Sequence, residues 1–140
     1  MSKTKHNRRN ERGQSLAEFA IILPLLLIIL AGVLDLGRLY YAYVSVTDAA
    51  AEGASYAAIS PTDSDGIHKR AQEASGGQVR LEPGAVQVEF PESTASGSPV
   101  IVTVNYTFTL LTPFLHAIVP GGTLQLQGRA NEVILAGDLE

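Results

Sequence analysis

The sequence predicts an α+β protein organised on one long N-terminal helix. Half of that helix lies in a membrane, and a short second helix and a small three-stranded antiparallel sheet pack on the rest. Three observations lead there. A basic head is followed by an uncharged, strongly apolar run; an alanine-rich stretch then carries a helical period onward; and beyond Gly77 the apolar period changes from about 3.6 to 2.

The apolar run comes first. From Phe19 to Leu34 there are sixteen residues without a charge, and twelve of them are Leu, Ile, Val or Phe. Those twelve favour bilayer insertion by roughly 4 to 7 kcal/mol. Sixteen helical residues rise ~24 Å, slightly less than a hydrocarbon core of ~30 Å. A span from Leu16 to Leu36 supplies the missing length and brings Glu18 and Asp35 towards the two interfaces. A buried core helix is the disfavoured alternative, because so small a remainder could not wrap a helix that is apolar all round.

Orientation follows from the flanks. Lys3, Lys5, Arg8, Arg9 and Arg12 precede the span with the single acid Glu11, whereas Asp35, Arg38, Asp48 and Glu52 follow it. The positive-inside bias keeps the N-terminus in the cytoplasm and sends the C-terminal part across the membrane. Tyr40, Tyr41 and Tyr43 then fall at the outer headgroup level, where amphipathic rings are favoured. The chain divides into a basic cytoplasmic leader (1–13), a transmembrane and extended helix (14–60) and a small extracytoplasmic domain (61–140). The leader has no apolar period and is expected to be disordered. No A-x-A site follows the run at signal-peptidase distance, so the span is expected to stay.

The helix is expected to continue outside. Leu39, Tyr43, Val46, Ala50, Ala54 and Ala57 mark one continuous face, and Pro61 ends the helix near Ile59. Thr62 to Asp65 offers capping side chains for a second helix with Ile67, Ala71 and Ala74 on its apolar face, ended by Gly76 and Gly77. Three alternating runs predict strands: Val86, Val88 and Phe90; Val100 through Leu110; and Leu124 and Leu126, continuing weakly through Gly128 and Ala130 towards Ile134. A sheet with one apolar face needs a cover, and the outer half of the long helix with the short one supplies it. The connection Thr112 to Pro120 (TPFLHAIVP) is unusually apolar. It either folds over the open end of the core or forms an exposed patch touching lipid or a partner subunit.

Composition narrows the function. The chain has 140 residues, a formal charge of −4 and no cysteine. Residues 1–13 hold five basic residues and one acid, a net of +4, which leaves −8 on the remainder. An acidic exported body argues against nucleic acid as a partner, and a disulfide is not available to staple it. The isolated His6, His68 and His116 lack metal-ligand spacing. No nucleophile elbow, triad context or phosphate-binding glycine fingerprint is present. Asp63, Asp65 and Gly66 lack the later acid of a calcium loop and read as helix capping. No catalytic site, metal, cofactor or small-molecule substrate is expected, and the protein is expected not to be an enzyme.

The informative polar residues lie in the membrane stretch. Glu18 stands just inside the start of the span Leu16 to Leu36, where an acid costs up to about 2.5 to 3.5 kcal/mol at full depth and less near an interface. It either snorkels to the inner headgroups or pairs with a positive group on its own chain or a neighbour. Asp35 and Arg38, three apart, can pair near the outer interface and serve anchoring or subunit registration.

The residues Gly13, Gln14, Ser15, Leu16, Ala17, Glu18 and Phe19 read as a class III leader end: G, four residues, then E and an aromatic. With the LPLLLIIL core and the following DLGRLYY, residues 12–58 resemble the TadE-like family of pseudopilins, minor pilins of the tight-adherence, Flp-type pilus system. The resemblance implies cleavage after Gly13 by a membrane-embedded prepilin peptidase, with Gln14 as the new N-terminus. It implies that Glu18 neutralises the new α-amine of a neighbouring subunit, easing burial of both charges. Pro24 either loosens the span, as prolines in pilin helices do, or is an ordinary membrane-helix proline. The implied partners are other pilin and pseudopilin subunits, prepilin peptidase, the inner-membrane assembly platform and the lipid bilayer. The implied location is the cytoplasmic (inner) membrane, with the pilus as a further destination. The alternative is an uncleaved signal-anchor protein whose external domain binds a partner or surface.

Overall fold

The computed structural model describes residues 8–77 and 79–136, with side chains from Gly13 onward. Lys3, Lys5 and His6 of the basic head lie outside the described residues, as do the side chains of Arg8, Arg9, Glu11 and Arg12.

The architecture is α+β. Helix α1 (Arg8–Ile59) is followed by α2 (Ser64–Ala74), β1 (Val86–Glu89), β2 (Pro99–Thr109), a one-turn helix α3 (Pro113–His116), a 3-10 turn at Pro120–Gly122, and β3 (Thr123–Val133). The strands form an antiparallel meander in the order β1-β2-β3. Val86 pairs with Val104 across the first ladder, and Val104 with Gly128 across the second.

At 52 residues α1 is roughly 78 Å long. It already includes Arg8, the first described residue, which corrects the expectation of disorder in the leader for residues 8–13. Arg, Glu and Gln are good helix formers, and adding residues to an existing helix avoids the cost of nucleation. Its C-terminus is the expected one, because Pro61 excludes the helical conformation at Ser60. The last turn leaves carbonyls without helical partners. One of them, Ala58 O, accepts the amide of Leu135 at 2.7 Å, so the tail of β3 closes that end.

The core lies where the sheet and α2 meet the outer half of α1. From the helix come Ala42, Val46, Ala49, Ala50, Ala54 and Ala57; from the sheet Val86, Val100, Val102, Val104 and Phe108; from α2 Ile67 and Ala71. Tyr43, expected on this face, is half exposed. Ala42 takes the inner position instead, since small side chains let two elements approach one helix closely. Gly53 marks the meeting point: a Cβ there would lie 3.2 Å from Val102 Cγ1 and 3.4 Å from Ala71 Cβ. Gly128 marks a second, where β3 crosses the helix so tightly that a Cβ would collide with the Val46 carbonyl. A glycine inside a strand often signals such backbone approach.

Helix α2 is capped as expected. The Asp63 carboxylate accepts the Gly66 amide at 3.0 Å and the Tyr56 hydroxyl at 2.7 Å, which ties the cap back to α1. At the other end the buried Ser75 hydroxyl lies 2.8 Å from the carbonyls of Gln72 and Val79, and Gly76 turns with φ 73°.

Candidate functional site

The candidate surface is α1 itself and its junction with the sheet domain. The helix is long and apolar enough to cross a membrane, and only 6% of its most apolar window is buried within the protein. Leu25, Leu26, Leu27, Ile29 and Leu30 are all exposed. Apolar surface on this scale, uncovered by the chain's own domain, requires lipid or other apolar helices around it.

At the head of this segment the Gln14 side-chain amide donates to Glu18 Oε1 at 3.1 Å, one helical turn away. Gly13 is open, with no atom within 4 Å of a Cβ built on it. Pro24 lies within the span, and α1 passes through it as one element. Proline has no N–H, so Ala20 O loses its helical donor there.

At the far end the structure brings together residues that sequence spacing could not. Asp35 pairs with Arg38 at 3.0 Å. The same carboxylate is buried, and it accepts the amide of Leu111 at 3.0 and 3.2 Å and that of Thr112 at 2.8 Å. Two successive backbone donors and a guanidinium therefore converge on one side chain. Charge-assisted bonds of this kind are shorter and stronger than neutral ones. The Arg38 guanidinium in turn lies 5.2 Å from the centroid of the Phe108 ring, within cation–π range.

The apolar connection beyond is held by the same junction. Leu110 N bonds to Gly122 O at 2.9 Å, and the His116 ring lies 3.0 Å from Leu110 O through Nε2. Helical turns continue from α3 through Val119. Leu115 and Val119 pack on the core, whereas Leu111, Phe114 and Ile118 are 67%, 57% and 66% exposed. The segment thus folds partly over the core, as one reading expects, and leaves three large apolar side chains exposed.

Of the aromatic residues placed at the interface, Tyr40 and Tyr43 are exposed. Tyr41 is partly engaged, because its hydroxyl faces the turn at Gly76. Among the described residues no group of three or more His, Asp or Glu is arranged to hold a metal ion. Sequence reasoning missed the loop amides as partners of Asp35. The available signal was an acid beside an apolar span, which must find donors when buried.

A family model described as TadE-like protein matches residues 13–55. No curated protein and no solved structure matches the chain.

Proposed function

We propose, from the match of residues 13–55 to a TadE-like family model, that this chain is a non-enzymatic minor pilin or pseudopilin. It takes part in assembling or initiating a Flp-type, tight-adherence pilus. The family match supports association with the Tad pilus system, and the one helix among the described residues that is long and apolar enough to cross a membrane supports a single-pass membrane protein. Its finer role rests on helix packing and protein contacts.

The observation that carries the reading is Glu18. It is the only acid between Gly13 and Leu34, one turn from Gln14, on a helix face that the rest of the fold does not cover. Cleavage after Gly13 by prepilin peptidase converts the Gln14 nitrogen into an α-amine, a cation at the head of an apolar rod. A neighbouring Glu18 neutralises it when the rods pack side by side, so that neither charge enters lipid alone. Gly13 leaves the peptidase unhindered access to the bond.

Mass spectrometry of the membrane-extracted protein tests the cleavage: a Gln14 start is expected, and an intact Met1 in cells holding the peptidase overturns it. Replacing Gly13 by a larger residue should accumulate the unprocessed form. Glu18→Ala should be processed and inserted normally yet fail to support piliation; normal piliation would leave snorkelling as the better account of Glu18.

A further inference from the structure

We infer that the segment Leu111–Ile118 is a second membrane contact, in which Leu111, Phe114 and Ile118 enter the outer interfacial layer of the bilayer that α1 crosses. The inference rests on the membrane reading of α1 and adds a lipid-binding surface to the external domain.

Height comes from the Asp35 bonds. Asp35 is the first charge after the apolar run, flanked on α1 by Leu34 and Leu36, both well exposed. Because its carboxylate holds the amides of Leu111 and Thr112 at 2.8 to 3.2 Å, the start of the segment sits level with the last lipid-facing residues of the span. A bilayer that covers Leu34 therefore reaches the segment as well.

The segment suits that environment. Phe114 and Ile118 lie four apart on the turns running to Val119 and, with Leu111 just ahead of them, are exposed, while Leu115 and Val119 pack on the core. No Asp or Glu occurs between Glu92 and Glu132, so nothing in this part repels anionic headgroups. The side chain of Arg38 beside it is 45% exposed, which leaves it room to meet a lipid phosphate. The apolar surface is thus continuous with that of the span, and lipid is the occupant that covers both. With a helix and a loop both in the membrane, the external domain is held at a fixed tilt rather than swinging on α1.

The chain contains no tryptophan, so a single one reports its own site. Full-length Phe114→Trp and, separately, Ile118→Trp are reconstituted into phosphatidylcholine–phosphatidylglycerol vesicles with or without acyl-brominated phosphatidylcholine. Glu132→Trp, at the far end of β3, serves as the control. Blue-shifted emission quenched by the brominated lipid at both loop positions, with the control quenched only by aqueous iodide, is expected. Iodide quenching equal to the control and indifference to brominated lipid overturns the inference. Emission that depends on protein-to-lipid ratio but not on bromine also overturns it, in favour of a second copy as occupant. Flotation of the same samples separates the two readings: a chain that does not float with the vesicles removes the membrane span too, whereas a floating chain with a wet loop removes this inference alone.

Discussion

Asp35 accepts a hydrogen bond from a guanidinium on its own helix and from two amides of a segment far along the chain. Removing it leaves the Leu111 and Thr112 donors without their acceptor. Asp35→Ala should therefore destabilise the external domain by about 2 to 4 kcal/mol, on the scale of two charge-assisted bonds. Arg38→Ala, which leaves both amide bonds intact, should lose about 1 kcal/mol or less, as partly exposed pairs do. Denaturant unfolding of the two variants in detergent checks the ranking, and equal losses would count against it. A second residue-scale case is Asp63, whose carboxyl is held below its usual range by the Tyr56 hydroxyl and the Gly66 amide. Tyr56 is held above its usual range chiefly by its hydrogen bond to Asp63. A lowered carboxyl stabilises the fold above its unfolded pKa, and that contribution is lost as pH falls through the folded value. A raised phenol stabilises below its unfolded pKa and loses its contribution as pH rises through the folded value. The stability difference between the wild type and Tyr56→Phe should be widest between about pH 4 and pH 10 and narrow at both extremes, a trend that pH-dependent thermal unfolding reads directly.

At the scale of elements, α1 combines two helices' worth of pattern in one. Its first half is apolar all round, which suits a lipid surround; its second half has a stripe of small residues, which suits a sheet and a helix packed close. The closest approach is at Gly128, beneath the Val46 carbonyl. Gly128→Ala must push β3 off the helix, and a cost of about 1 to 3 kcal/mol is expected, in line with overpacked cores. The same substitution at Gly84, whose Cβ would meet no atom within 4 Å, would also be unfavourable, but only through its positive φ of 85°. A mutant at Gly128 that unfolds like the wild type would show that the strand yields without loss.

For the whole molecule, the external domain is tied to α1 at two ends. Asp35 holds the loop beyond β2 at the end of the apolar run, and Ala58 O holds the tail beyond β3 at the helix terminus. The helix between them rises roughly 35 Å, about the length of an eleven-residue strand. That match lets a three-stranded meander cover the outer half of the helix without a cysteine staple. The two ties share no partner, so Asp35→Ala combined with Ile134→Val should be additive to within about 0.5 kcal/mol. A larger coupling in a double-mutant cycle would mean that the sheet transmits strain from one end to the other. Lateral packing of α1 against other helices remains compatible with both ties, because the uncovered first half of α1 makes neither.

The sequence alone determined the long helix from the span to Ile59, α2 and the three strands, but not α3 or the helical state of residues 8–13. A charge-free apolar run, a proline at 61, a capping Asp63 and a change of period after Gly77 are local signals. They place the span, the helix ends and the three strands because secondary structure is written in near-neighbour spacing. Tertiary structure alone decided that Asp35 closes on Leu111 and Thr112, that Ala42 rather than Tyr43 faces the sheet, and that the 112–120 connection turns one face to the core and one outward. Each depends on which surfaces meet when the chain folds back on itself. A buried carboxylate announces a need for donors, but only packing in three dimensions says which amides supply them.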